Sequence, residues 1–173
     1  MENNGTTLIT GASSGIGMHL AHEFAKHGHS LVLVAPVESE LQRLQQELES
    51  EYGVSVRAIA KDLEKAEAAQ EIFDEAGREV EILVNNAGHG QRGKFWEISL
   101  EEELSILRLN VEAVLRLTRL FLPVMVTAAM AKSSTPHPSR ALNRDLGWRF
   151  TTPRKLSFFP SANRSRPSWM ERA

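Results

Sequence analysis

The chain has 173 residues, a formal net charge of −2 and no cysteine, which suits one domain with a substantial core and excludes disulfides and thiolate zinc sites. No signal-like leader is visible in residues 1–5, and the most apolar late run, residues 120–131, is too short to cross a bilayer. We therefore expect a cytoplasmic protein with no membrane partner.

Apolar runs alternate with helical periodicities along the first three quarters of the chain. Buried strands are predicted over residues 6–10, 31–34, 54–60 and 80–84. Helices are predicted over residues 18–27, 38–51, 66–76 and 99–126. Because strands alternate with helices, the pattern predicts an α/β fold with a doubly wound parallel sheet of four clear strands.

Each of the longer predicted helices has an apolar face. The second helix is expected to turn three residues toward the core, Leu41, Leu44 and Leu48. The last helix begins with Ser99 and Glu102, which are spaced as a capping box. An apolar row follows at helical spacing, formed by Leu100, Leu104, Leu107, Val111 and Val114.

A glycine-rich turn, Thr-Gly-Ala-Ser-Ser-Gly-Ile-Gly at residues 10–17, connects the first strand to the first helix. Glycine allows backbone angles that other residues avoid, and it lets the backbone approach a ligand closely. The start of a helix also offers unpaired N–H groups and a partial positive charge, which suit a pyrophosphate. The spacing is not the commoner Gly-x-Gly-x-x-Gly fingerprint. Taken alone, the turn is equally compatible with a tight connection that binds nothing.

Three further motifs stand in register with this turn. Asp62-Leu63 follows the third strand, Asn-Asn-Ala-Gly at residues 85–88 follows the fourth, and Asn110 lies in the last helix. Ligands bind at the carboxyl ends of strands in such sheets. With these motifs the chain resembles the short-chain dehydrogenase/reductase family over residues 6–126. The resemblance implies a Rossmann-type fold, incomplete here, and an oxidoreductase that transfers hydride between a nicotinamide and a carbonyl or alcohol substrate.

The resemblance also implies how NAD or NADP would be bound. The pyrophosphate would lie against the turn, at Gly11, Ser13, Ser14, Gly15, Ile16 and Gly17. Asp62 would accept a hydrogen bond from the adenine amino group, with Leu63 beside it. The ribose and the nicotinamide would be lined by Asn86, Ala87 and Gly88. Pro36 stands where many relatives carry an arginine that favours the 2′-phosphate, and Glu38 could instead accept a ribose hydroxyl, so the choice of cofactor stays open.

The family's catalytic set is incomplete in this sequence. Relatives use a Ser, a Tyr-x-x-x-Lys pair and an Asn, and only Asn110 of that set is present. The lysine lowers the pKa of the tyrosine so that it exchanges a proton near neutral pH. The one tyrosine of this chain, Tyr52, is followed four residues later by Val56. We therefore expect an inactive oxidoreductase, the alternative being a non-catalytic dinucleotide-binding fragment.

Histidines offer a weaker signal. His19 and His22 lie one helical turn apart, a spacing that can suit a metal ion. No Asp, Glu or third His stands at convincing ligand spacing in the sequence, so packed or surface histidines and no metal are expected. His89 follows the Asn-Asn-Ala-Gly turn, and we take its position on the substrate side as a hypothesis.

The composition changes near Val126, which divides the chain into a nucleotide-binding portion (1–126) and a tail (127–173). Residues 127–173 hold five of the seven prolines, seven serines and one glycine. They carry nine basic and two acidic side chains, against 11 and 20 in residues 1–126. A basic arm of this kind can bind a polyanion with a steep salt dependence. No basic repeat occurs, so we expect an irregular, disordered tail without a nucleic-acid partner.

We hypothesise that a shifted reading frame produced this tail. Codons built from the third base of one codon and the first two of the next permit serine across 137/138, tyrosine across 150/151 and lysine across 154/155. The Ser and the Tyr-x-x-x-Lys pair of the family, which this chain lacks, have that spacing. The coding sequence tests the frameshift, since CAC across 150/151 would give histidine and contradict it. Without the later strands, the fourth strand and residues 104–126 should expose apolar surface, so we expect marginal stability and doubt the homo-oligomer common in relatives.

Overall fold

Four parallel strands form the centre of the protein, in a computed structural model that describes residues 4–133, with side chains for residues 4–128. The strands are β1 (Thr6–Thr10), β2 (Ser30–Ala35), β3 (Val56–Ala60) and β4 (Val80–Val84). Their order in the sheet is β3-β2-β1-β4. The predicted α/β fold with four parallel strands is confirmed. The order reverses between β1 and β4, which is where an open α/β sheet forms a crevice for ligands.

Helices cover both faces of the sheet. Their bounds are α1 (Gly15–Lys26), α2 (Glu38–Tyr52), α3 (Ala68–Ala76), α4 (Leu100–Leu107) and α5 (Val114–Ser133). The first helix begins three residues earlier than expected, at Gly15 rather than at Met18. The last two glycines of the glycine-rich turn therefore belong to the first helical turn, where N–H groups have no partner within the helix.

The core consists of two apolar layers, one on each side of the sheet. Alternating strand residues reach opposite layers, so that Ile9 lies among residues of α1 and α2, and Leu8 lies among residues of α3 and α5. The residues predicted to face the core from α2 are buried, namely Leu41, Leu44 and Leu48. Strands buried on both faces are typical of parallel sheets, and they explain the continuous apolar runs in the sequence.

The long helix predicted over residues 99–126 differs most from the structure. A π-helical segment, Arg108–Ala113, separates α4 from α5. Much of the predicted apolar row is exposed, since Leu100, Leu107 and Val111 are 69%, 55% and 57% accessible. Three other residues face the core, Ala113, Leu117 and Phe121. The wider π turn rotates the following helix relative to the preceding one, and a regular period cannot reveal this.

The predicted capping box at the start of α4 is confirmed. The N–H of Glu102 donates to Ser99 Oγ at 3.3 Å, and the N–H of Ser99 donates to Glu102 Oε2 at 3.0 Å. The bond from the Ser99 backbone, with others from Gln91 and Ser99 side chains, lowers the pKa of Glu102. The folded state therefore favours the carboxylate form of Glu102. The cap stabilises the fold at pH values above the ordinary pKa of glutamate, and this stabilisation is lost as the pH falls through the lowered pKa.

One edge of the sheet is open in the part of the chain that the structure describes. Within residues 4–133, β4 pairs with β1 alone, so its outer edge has no strand beside it. In the same residues, no helix is both long enough and apolar enough to cross a bilayer. Helix α5 continues past the predicted boundary near Val126 to Ser133. The rest of the predicted tail, residues 134–173, lies outside the described residues.

Candidate functional site

The glycine-rich turn brings α1 against the end of β1. Gly11 and Gly15 have φ angles of +63° and +53°, in the left-handed region that favours glycine. A Cβ on Gly17 would lie 2.1 Å from the Gly11 carbonyl oxygen and 2.5 Å from Asn86 Nδ2. A Cβ on Gly15, in contrast, would meet nothing within 4 Å. The two positions therefore need glycine for different reasons, Gly17 for packing and Gly15 for its backbone angle beside open space.

Hydrogen bonds join this turn to the end of β4. The amide of Asn86 donates to the carbonyls of Thr10 at 3.0 Å and Gly11 at 3.2 Å. The hydroxyl of Thr10 accepts the N–H groups of Asn86 and Ala87, both at 3.0 Å, and donates to the Val84 carbonyl at 3.3 Å. Thr10 is buried, so these bonds form away from competing water. They hold the two strand ends at a fixed separation.

A cleft of about 1080 Å³ opens above these strand ends. Eleven of the twelve residues predicted for the site line it, namely Gly11, Ser13, Ser14, Gly15, Ile16, Asp62, Leu63, Asn86, Ala87, Gly88 and Asn110. The twelfth, Gly17, is buried and lies beneath the turn. Ile16 is 69% exposed although it is apolar, and it forms part of the wall.

Asp62 and Leu63 form the end of the cleft beside β3. Asp62 Oδ1 accepts the N–H of Glu64 at 3.0 Å, which fixes the turn after the strand. The neighbouring Lys61 also lines the cleft, but its ammonium donates to Glu71 Oε2 at 2.6 Å. That hydrogen bond, reinforced by the charges of Glu71 and Glu75, raises the pKa of Lys61. Lys61 is thus a cation already paired with carboxylates of α3.

The end of β2 contributes no charge to the cleft. Ala35 and Pro36 line the wall there. Glu38, which the sequence offered as a ribose acceptor, does not line the cleft and accepts a hydrogen bond from Gln42 Nε2 at 2.9 Å, one turn along α2. Glu38 is therefore engaged on the helix surface.

Asn110 lies in the π segment and binds the backbone that follows β4. Its Nδ2 donates to the His89 carbonyl at 2.8 Å, and its Oδ1 accepts the His89 N–H at 3.1 Å. A Cβ on Gly88 would lie 2.9 Å from Asn110 Oδ1, so glycine permits this approach. The arrangement makes Asn110 a positioning group for the loop along the cleft.

The His89 side chain joins two walls of the cleft. Its Nε2 lies 3.0 Å from Ser105 Oγ and 3.5 Å from Glu64 Oε1. A serine–histidine–carboxylate relay uses the two ring nitrogens separately, one for the hydroxyl and one for the carboxylate. Here the same nitrogen meets both groups, so the three side chains form a bridge across the cleft and not a nucleophilic triad.

Sequence reasoning assigned no role to several groups that the structure places at the site. Thr10 organises the strand ends, and Ser105 and Glu64 flank His89. Asn85 is buried and donates to Thr118 Oγ1 at 3.3 Å, while its Oδ1 has no hydrogen-bond partner among the described residues. Thr10 and Asn85 lie within the motifs at residues 10–17 and 85–88, whereas no local spacing indicates Ser105 or Glu64, which approach His89 only in the folded chain.

Comparison with known proteins agrees with this geometry. The sequence model of the short chain dehydrogenase family matches residues 5–133. The chain belongs to the short-chain dehydrogenase/reductase family. It is 34% identical over 146 residues to the very-long-chain 3-oxoacyl-CoA reductase of Candida albicans, covering 77% of this chain and 38% of that protein. It is 36% identical over 123 residues to the NADPH-dependent pterin aldehyde reductase of Arabidopsis thaliana, covering 70% and 51%.

Solved structures of the family show the same arrangement of elements. The L-sorbose reductase of Gluconobacter frateurii, complexed with NADPH and L-sorbose, superposes with a TM-score of 0.70 at 33% identity, over 73% of this chain and 49% of that one. A short-chain dehydrogenase from Sphingobium yanoikuyae in complex with NADPH gives 0.69 at 38% identity, over 72% and 49%. The chain spans about half the length of these relatives, and less for some.

Proposed function

We propose that this short-chain dehydrogenase/reductase chain binds a nicotinamide dinucleotide in the cleft between β1 and β4, with the pyrophosphate on the glycine-rich turn. One observation carries the proposal: Gly15 lines the cleft, and a Cβ built on it would meet nothing within 4 Å. The N-cap residue Ser14 makes no side-chain capping bond, so the first N–H groups of α1 remain available to an anion. The NADPH complexes of the sorbose reductase and the Sphingobium enzyme support it.

Within this proposal, Asp62 accepts from the adenine amino group and Leu63 packs beside the ring. Asn86, Ala87 and Gly88 line the ribose and nicotinamide. We further propose NADP(H) as the preferred form, because the end of β2 offers no carboxylate to a ribose hydroxyl and Glu38 is bonded to Gln42. A carboxylate there would repel a 2′-phosphate.

A bound nicotinamide would supply hydride transfer to or from a carbonyl or alcohol, as the family resemblance implies. In the part of the chain that the structure describes, no tyrosine lines the cleft to exchange the proton. The chain's one tyrosine, Tyr52, ends α2 and does not line the cleft. The pKa of Tyr52 is raised, first by its hydrogen bond to Glu51 and then by burial and nearby carboxylates. A catalytic tyrosine needs a lowered pKa instead. We therefore propose cofactor binding without turnover for the chain as it stands.

Cofactor binding is tested by Gly15→Ala with Gly53→Ala as a matched control. Both glycines have positive φ, +53° and +65°, and a Cβ on either would meet nothing within 4 Å. Each change should cost about 1–2 kcal/mol of backbone strain. Only Gly15 borders the cleft, so we expect NADPH affinity, measured by nicotinamide fluorescence, to fall about tenfold or more in Gly15→Ala alone, equivalent to ~1.4 kcal/mol.

Two results would contradict the proposal. Equal affinities of Gly15→Ala and Gly53→Ala for NADPH would place the pyrophosphate elsewhere. Steady oxidation of NADPH by the untagged chain with a panel of ketones and aldehydes would show that another group donates the proton. NADH is titrated in parallel, and tighter binding of NADH would overturn the preference for the phosphorylated cofactor.

A further inference from the structure

A second group of chemistry-bearing side chains lies between α1 and α2. His22 projects from α1, and Glu47 and Glu51 project from α2, where they stand four residues apart on one face. One potential ligand atom from each residue lies within 4.8 Å of the other two. His22 Nε2 and Glu47 Oε1 lie 3.6 Å apart. None of the three residues lines the cleft.

The second feature of this cluster is the negative charge of its two carboxylates. Within the residues whose side chains are described, no lysine or arginine lies within ion-pairing distance of Glu47 or Glu51. With a neutral imidazole, the cluster carries two negative charges and one free nitrogen ligand. A cation is the group that these two carboxylates would hold.

The imidazole is held in place before any ion arrives. The side chain of His22 is one-quarter exposed, and the Tyr52 ring packs against it edge-on at 6.0 Å. The carboxylate of Glu47 is half exposed and lies beside the ring. Bonds of about 2.1 Å in a tetrahedral site separate ligand atoms by about 3.4 Å. The His22–Glu47 pair, at 3.6 Å, is near this separation, and Glu51 places a carboxylate oxygen within 4.8 Å of both atoms.

We propose that His22, Glu47 and Glu51 form a zinc site that clamps α1 to α2, with water as the fourth ligand. One imidazole nitrogen with two carboxylates suits Zn²⁺, whereas Mg²⁺ and Ca²⁺ prefer oxygen ligands throughout. The sequence predicted no metal because a histidine on one helix and two glutamates on the next, about 25 residues later, have no recognisable spacing. Only the packing of α1 on α2 brings them together.

The test is a Zn²⁺ titration of the untagged full chain in competition with a chromophoric chelator. We expect one site in the wild type, and we expect affinity to fall at least about tenfold in His22→Ala and in Glu51→Gln, since even outer-shell partners contribute about 10–100-fold. His27→Ala is the matched control, because His27 also lies beside a glutamate, Glu23, but belongs to no group of three ligands among the described residues. That variant should bind Zn²⁺ like the wild type.

Stability gives a second readout. Zn²⁺ should raise the melting temperature of the wild type and of His27→Ala, and it should not do so in His22→Ala or Glu51→Gln. Unchanged Zn²⁺ affinity in His22→Ala, or an equal loss in His27→Ala, would overturn the site. Displacement of Zn²⁺ by an equal concentration of Mg²⁺ would overturn the choice of metal. Neither readout involves a nicotinamide cofactor, so the result is independent of the proposed function.

Discussion

Gly17→Ala is expected to destabilise the protein by about 3 kcal/mol or more, at the upper end of what added core atoms cost. The new Cβ would lie 2.1 Å from the Gly11 carbonyl oxygen and 2.8 Å from its carbonyl carbon. These are backbone atoms at the end of β1, so no side-chain rotation relieves the overlap, and α1 must move away from the sheet. Urea denaturation followed by circular dichroism measures the loss.

The control for this change is Gly90→Ala. Gly90 also lines the cleft, but a Cβ there would meet nothing within 4 Å, and its φ lies outside the left-handed region. We expect an effect on the free energy of unfolding within about 0.5 kcal/mol, as at other open surface positions. If Gly17→Ala were as stable as Gly90→Ala, α1 would have to lie farther from β1 than described. The packing account of the turn would then fail.

Phe121→Ala is expected to remove about 3–5 kcal/mol, a large part of the ~5–15 kcal/mol that stabilises a typical domain. Phe121 is fully buried, and its ring meets that of Phe73 edge-on at 5.2 Å. This contact joins α5 to α3 on one face of the sheet, and truncation would leave a cavity that neither helix can fill. A lowered urea midpoint with an unchanged slope is the expected signature.

Leu115→Ala provides the comparison on the same helix. Leu115 is 66% exposed, so its removal should change the free energy of unfolding by no more than about 0.5 kcal/mol. A loss as large as that of Phe121→Ala would mean that another surface covers Leu115 in solution. The burial assigned to the two faces of α5 would then be wrong for the protein in solution.

The strands and the glycine-rich turn could be predicted because their signals are local. The strands are rich in apolar residues, most clearly in the continuous run Leu31–Val34, and the site motifs stand directly after strand ends. Eleven predicted residues meet in one cleft because parallel strands bring their carboxyl ends to the same edge. The exception, Gly17, matched the same motif but serves the contact between helix and strand beneath the cleft.

What could not be predicted depends on contacts between distant elements. The apolar row from Leu100 to Val114 obeys a helical period, yet three of its five residues are exposed, and after the π segment Leu117 and Phe121 face the core instead. The roles of Thr10, Ser105 and Glu64 arise from neighbours across the cleft. The cluster of His22 with Glu47 and Glu51 needs two helices in contact. These contacts join residues that lie far apart in the sequence.

The π segment at Arg108–Ala113 also constrains how this helix can change in length. Asn110 must face His89, while Leu117 and Phe121 must face the core, and a straight α-helix places residues about 100° apart. The wider turn of the π segment allows both orientations in one helix. Deletion of one residue from the π segment would restore a regular α-helix but would rotate its two halves relative to each other. Either the hydrogen bonds of Asn110 to His89 or the burial of Phe121 would then be lost. The one extra residue in the π segment thus allows the same helix to hold the loop at the cleft and to pack in the core.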